Sequence, residues 1–193
     1  MRKLQGFPGY IVAGLCSVLC LFHLYAAYMG SFSPYVQRGV HFGCLLPLAF
    51  LLYPCTKKSN QNSPSLLDYV LAFMATLPSI YVVVEKGYLE NRIAYVTPLT
   101  MVEMVLGSLL ILLVIEAVRR SVSQVMAGLI VIFLLYLPFG KYLPGLLYHR
   151  GMTYAKLIES IYMTTGEGIY GLLMSTSATH VVMFIIFGSF VFS

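Results

Sequence analysis

Charge is what this sequence has least of. Of 193 residues, 7 are Asp or Glu and 12 are Lys or Arg, together 10% of the chain. A soluble domain carries about 25% charged residues, because water must solvate its whole surface. An ordinary soluble globule is therefore excluded. Disorder is excluded by the opposite measure, since it needs low hydrophobicity and high net charge. Here 59% of residues are hydrophobic and the mean hydropathy is +0.85. The basic residues form no cluster larger than two, so no patch tracks a phosphate backbone and no nucleic-acid partner is expected. The net charge of +5 reads instead as membrane orientation.

Cysteine and catalytic motifs are scarce as well. Cys16, Cys20, Cys44 and Cys55 form no C-x-x-C pair, and no histidine stands at zinc spacing beside them. No metal site is expected, and three of the four cysteines sit in apolar runs as small hydrophobes. The chain has no H-E-x-x-H, no G-x-S-x-G and no carboxylate pair at helical spacing in an apolar run, so no enzyme is expected.

What the sequence does have is apolar length. A spanning helix needs about 20 mainly apolar residues. Such runs cover Tyr10 to Met29, Val36 to Tyr53, Leu66 to Val84, Pro98 to Val118 and Val125 to Gly140, with a last run from Ser175 to Ser193. Pro98 suits a first helical turn. The expectation is an all-α polytopic integral membrane protein with about six transmembrane helices. The last run stops without a polar tail or interfacial basic residue, so it is expected to be incomplete. The basic start, Met1-Arg2-Lys3, precedes an apolar stretch too long for a signal peptide and lacking a cleavage site, so a retained first helix is expected.

Orientation follows from Lys and Arg in short loops. With the N-terminus inside, the inner loops hold six (Arg2, Lys3, Lys57, Lys58, Arg119, Arg120) and the outer loops of the first five helices hold three (Arg38, Lys86, Arg92). A cytoplasmic N-terminus is expected, although Lys141, Arg150 and Lys156 weaken the bias on the outer face.

Between the fifth and last runs, Tyr154, Leu157, Ile158, Ile161 and Tyr162 recur at helical spacing, with Lys156, Glu159 and Ser160 on the other face. That pattern predicts one amphipathic interfacial helix. Gly166, Gly168 and Gly171 then predict a flexible joint. The spacing Gly166-x-Gly168-x-x-Gly171 follows a helix and lacks a following Lys, which excludes a nucleotide loop.

The polar residues inside apolar runs are the candidate sites. His23 and His41 lie on consecutive helices and are read either as ligands of a b-type haem or as an interhelical hydrogen bond. Glu103, in the first turns of its helix, is read as a functional carboxylate or as a charge favoured by the helix dipole. Glu116 with Arg119 and Arg120 is read as ion pairs at a helix end carrying the inner positive charges. Ser175, Ser177 and Thr179 either cap the last run or line a polar path. Gly39-x-x-x-Gly43 is a small-residue motif for close helix contact.

Two segments go beyond composition. One is Glu103-x-x-x-Gly107 leading into Leu112-Leu113-Val114-Ile115-Glu116-Ala117-Val118-Arg119-Arg120. The other runs from Tyr136-Leu137-Pro138-Phe139-Gly140-Lys141-Tyr142-Leu143-Pro144-Gly145 through Thr164-Thr165-Gly166-Glu167-Gly168-Ile169-Tyr170-Gly171 to Ser175-Thr176-Ser177-Ala178-Thr179 and Phe187-Gly188-Ser189-Phe190. Together they resemble the N-terminal part of a fused TRAP transporter permease, of the type that works with TAXI-class solute-binding proteins. The likeness extends from about Glu103 onward and is looser before it, where it rests on Asp68, Tyr81, Arg92 and helix layout. Glu103 stands where the family more often has Asp, and Leu172-Leu173 departs from an expected Pro-Leu.

The resemblance implies that residues 1–122 correspond to the small four-helix membrane module and residues 123–193 to the beginning of the large permease module. It implies import of small organic acids on an ion gradient, with sodium as coupling ion, a periplasmic TAXI-type binding protein as partner, and a bacterial or archaeal inner membrane as location. It places the substrate and ion sites beyond Ser193, in the remainder of the permease. The alternative is a haem-binding membrane anchor or small membrane enzyme using His23 and His41.

Overall fold

A computed structural model describes residues 2, 4, 6–56 and 63–192. Lys3, Lys57, Lys58 and Ser193, used in the topology reading, lie outside the described residues. The described residues form helices, short 3-10 turns and π turns, with no strand among them. The long helices are α1 (Phe7–Met29), α2 (Pro34–Leu52) and α3 (Leu66–Val84). A short α4 (Lys86–Asn91) precedes α5 (Met101–Ser121) and α6 (Gln124–Phe139). Next comes α7 (Tyr154–Ile158), extended by a π turn (Glu159–Met163). The last run is α8 (Leu172–Thr176), a π turn (Ser177–Val181) and α9 (Val182–Val191). Six stretches are long and apolar enough to cross a bilayer, the fifth and sixth being Gln124–Tyr142 and Leu172–Val191. The chain is thus an all-α, multi-pass membrane protein.

We call the end holding Arg2 and the α5–α6 junction proximal, and the end holding the α1–α2 turn distal. Helix starts follow local chemistry. Ser65 with Asp68, and Thr100 with Glu103, form capping boxes that satisfy free amides at the starts of α3 and α5. The second box explains why α5 begins at Met101 and leaves Pro98 ahead of the cap.

Close contact is made by glycine. A Cβ on Gly39 would lie 2.8 Å from Val83 Cγ2, and one on Gly43 would lie 2.7 Å from Ser79 Cβ. Those two positions let α2 and α3 approach as the small-residue motif predicts. The fully buried side chains Phe50, Val82, Leu110, Ile158, Tyr162 and Tyr170 join both parts of the chain in one core. The outward faces are apolar: Tyr10 on α1, Phe133 on α6 and Phe184 on α9 are each more than 60% exposed. A lipid bilayer is the solvent in which such faces cost nothing.

The segment expected to lie on the membrane surface is arranged differently. Most of its apolar stripe is turned into the bundle: Leu157, Ile158 and Tyr162 are buried while Tyr154 stays exposed, and a Cβ on Gly107 of α5 would sit 2.5 Å from Ile158 Cγ2. The bare surface of Gly107 is the notch that admits it. The glycines that follow make a tight turn rather than a flexible joint. Gly168 has φ +69°, and a Cβ there would collide with the Ser160 carbonyl. Ile169 N donates to Ile161 O at 2.8 Å, which closes residues 159–171 into a packed loop.

Candidate functional site

Buried polar groups gather around that loop, at the distal end. Irregular backbone away from water needs hydrogen-bond partners, since each orphaned group costs several kcal/mol (roughly 2–7). Arg38, from the first turns of α2, supplies them. Its Nη1 donates to Thr165 O at 2.6 Å and to Tyr170 O at 2.5 Å. Tyr35 Oη donates to Met163 O, and Tyr162 Oη to Pro78 O, both at 2.9 Å. The Tyr170 hydroxyl pairs with Ser79 Oγ at 3.0 Å. Burial pushes the phenols of Tyr162 and Tyr170 well above the ordinary tyrosine value.

A second clamp comes from the α4–α5 connection. Arg92 Nη1 pairs with Glu159 Oε1 at 2.8 Å, with both side chains almost fully buried. Tyr95 donates its backbone N–H to the same oxygen at 2.6 Å and its hydroxyl to Glu167. Tyr95 holds a left-handed backbone, φ 63°, which costs a tyrosine on the order of 1 kcal/mol and persists because these contacts fix it. Burial, then the Glu167 bond, raises the Tyr95 phenol above its usual value. Beside this clamp is an open cleft of about 620 Å³, lined by Tyr35, Glu90, Arg92, Tyr95, Thr165 and Glu167 among others. The Arg92 Nε is buried there with no partner.

A third group ties α1 and α2 to the last run. His23 Nε2 and His41 Nδ1 are 2.9 Å apart, and His41 Nε2 is 3.1 Å from Ser177 Oγ. Gln37 Nε2 donates to Ala178 O at 3.0 Å and faces His23 Nδ1 at 3.3 Å. The structure thus brings together His23, His41 and Ser177. It does so as the interhelical hydrogen bond. The pair does not fit a haem, because nitrogens that would face an iron from opposite sides are bonded to each other. The adjoining cavity is only about 100 Å³.

Ser175 and Thr179 do not cap the last run, although Thr179 lines the small cavity beside His23 and Gln37. The last run begins earlier, at Leu172, with Gly171 at its cap position and no side-chain cap. Thr179 Oγ1 donates back to Ser175 O at 2.8 Å, so it serves its own helix. Only Ser177 reaches a neighbouring helix among these three.

Glu103 is fully buried, yet its oxygens are committed. Oε2 accepts from Thr100 N at 2.6 Å and Oε1 from Tyr81 Oη at 3.3 Å. The structure therefore favours the helix-start reading of this carboxylate.

At the proximal end, Glu116 pairs with Arg119 and Arg120 as the spacing predicts, each at 2.7 Å. The pairing extends further. Arg120 Nη1 reaches Asp68 Oδ1 at 2.6 Å, and Asp68 Oδ2 takes Arg2 Nη2 at 2.7 Å, all three side chains being buried. Asp68, Arg2, Gln37, Arg38, Arg92 and Glu159 were not singled out from the sequence as site residues. The available signal was that each is a polar residue in or beside an apolar run, where the default is a partner.

Comparison with known protein families, with curated proteins and with solved structures finds no match. The fold and these contacts define the class: a multi-pass α-helical membrane protein whose distal half encloses a packed loop held by polar contacts.

Proposed function

We propose that this chain is a membrane component of a TRAP-type permease that imports small organic acids with a periplasmic TAXI-type binding protein and a sodium gradient. The observation that carries the reading is the sequence likeness from Glu103 to Phe190. In its support, the quoted motifs fall where buried polar contacts gather: Glu116 to Arg120 at the proximal ion-pair network, and Thr164 to Gly171 in the loop held by Arg38. Broken helices enclosed by intact ones are also what ion-coupled transporters use to meet ions and anions.

In this reading residues 1–122 act as the small bracing module, and residues 123–193 open the large module. The substrate and coupling-ion sites belong to other segments of the permease. The membrane is a bacterial or archaeal inner membrane with the N-terminus in the cytoplasm, which puts the distal end and its cleft on the side of the binding protein. The test is uptake of labelled small organic acids by the host with the reading frame intact, deleted and restored. Loss of a sodium-dependent uptake on deletion, and its return on restoration, supports the reading. Unchanged uptake of every acid tried refutes it.

A further inference from the structure

The histidine pair has a fixed internal order that can be worked out atom by atom. Ala178 O is only an acceptor, so the Gln37 atom 3.0 Å from it is the amide nitrogen. The same nitrogen faces His23 Nδ1, which must therefore be the bare, accepting nitrogen. His23 then carries its proton on Nε2 and donates to His41 Nδ1. His41 in turn carries its proton on Nε2 and donates to Ser177 Oγ. One backbone carbonyl in the π turn of the last run thus sets the tautomers of both rings.

One atom in this order is left over. Gln37 Oε1 is buried and has no hydrogen-bond partner. It belongs to a residue lining the cavity of about 100 Å³ shared with Ser31, His23 and Thr179, which is polar and large enough for a small water cluster. The surroundings hold no counter-charge: α1, α2 and the last run carry no carboxylate, and Arg38 is turned to the Thr165 and Tyr170 carbonyls. Of the remaining titratable groups on these elements, Tyr10, Cys16, Cys20, Tyr25, Tyr28 and His180 are exposed, Cys44 is half-buried, and Tyr35 is bonded to the Met163 carbonyl. The Phe22 ring meets His23 edge-on.

We propose that His23 and His41 form a single-proton binding site, supplied by water in this cavity, with the Gln37 amide as its switch. The proton adds to His23 Nδ1. The His23 Nε2–H to His41 Nδ1 bond is kept and becomes charge-assisted. The Gln37 amide then turns over, so that its orphaned Oε1 accepts from the new Nδ1–H, and its Nε2 leaves Ala178 O. A second proton is blocked, because on His41 Nδ1 it would set two N–H donors face to face. Binding of one proton therefore breaks the direct Gln37 link between α2 and the π turn of the last run. Nothing in this site depends on the transport reading, and a failed uptake assay leaves it standing.

The experiment is nitrogen NMR of the full chain, labelled with ¹⁵N-histidine, in lipid nanodiscs across a pH series. At neutral pH, His23 and His41 are expected as Nε2–H tautomers with a coupling across the N–H···N bond. On acidification the pair gains one proton, on His23 Nδ1. Two protons on the pair, none down to the pH of unfolding, or an Nδ1–H tautomer of His23 at neutral pH would each overturn the proposal. Gln37→Met removes the lock and is expected to let His23 populate both neutral tautomers. A folded Gln37→Met protein with His23 held purely as Nε2–H contradicts the switch. The wild-type titration decides the site even if that variant does not fold.

Discussion

Replacing Asp68 by Asn changes one charge and little else, and its consequence can be worked out oxygen by oxygen. Asp68 Oδ2 accepts from Arg2 Nη2, from Ser65 N and from Ser65 Oγ, while Oδ1 accepts from Arg120 Nη1. Both oxygens of the buried carboxylate are therefore committed, and two of the four donors are arginines. Asn keeps one oxygen, enough for the Ser65 cap and the Arg2 contact, but turns an NH2 toward Arg120. Two buried guanidinium groups then lose their shared carboxylate. Breaking a buried ion pair from one side costs about 3–5 kcal/mol. For a chain of this size that is a fall in Tm of roughly 6–20 °C, at about 2–4 °C per kcal/mol. Asp68→Ala also loses the helix cap and is expected to cost about 1 kcal/mol more. Replacing Arg2, Asp68 and Arg120 together by Met, Leu and Met removes the charges and is expected to recover most of the loss. Thermal unfolding in detergent, read by a thiol-reactive dye at the half-buried Cys44 in a background without Cys16, Cys20 and Cys55, measures all of these. A Tm for Asp68→Asn within about 2 °C of wild type, under 1 kcal/mol, would refute the buried bridge.

Other variants probe the distal end. Gly107→Ala places a Cβ 2.5 Å from Ile158 Cγ2 and is expected to cost about 1–3 kcal/mol by overpacking, read by the same unfolding assay. Arg38→Met strips the Thr165 and Tyr170 carbonyls, and the more distant Gly171 carbonyl, of a charged donor, each close bond being worth about 1.5–3 kcal/mol. Thiol labelling of Thr165→Cys, in a background without the four native cysteines, is expected to accelerate in that variant. Glu103→Gln keeps an acceptor for Thr100 N and is expected to leave stability within about 0.5 kcal/mol of wild type, whereas Glu103→Ala loses the capping box and about 1–2 kcal/mol. Equal losses in the two would mean that the charge itself is required. The absorbance spectrum of the purified protein is expected to lack a Soret band, and a Soret band abolished by His41→Ala would contradict the direct histidine pair.

Hydropathy made the six spans legible because a bilayer filters length and polarity residue by residue, with no need of partners. The α3 limits, Leu66 and Val84, came out as read, since Ser65 and Asp68 mark the start locally. The loop at 154–171 was not legible in the same way. A period of 3.6 reports that one face of a helix is apolar, but it does not say whether lipid or protein covers that face. The cover is Gly107, distant in sequence, and no local pattern links the two. The charged residues show the same limit. Arg2 and Arg120 read as topology markers, which they can still be, but their buried bridge through Asp68 is a long-range fact. The histidines were legible as a pair, whereas the order imposed by Gln37 and Ala178 depends on contacts between residues far apart in sequence.

Inner-membrane vesicles from the host, turned so that the periplasmic face is outward, test the transport reading most directly. Labelled small organic acids are offered with and without an inward sodium gradient, and with and without the host's periplasmic proteins. Uptake is expected to need both the gradient and a TAXI-type binding protein, and to vanish when this reading frame is disrupted. Uptake that persists unchanged in vesicles lacking the protein would contradict it.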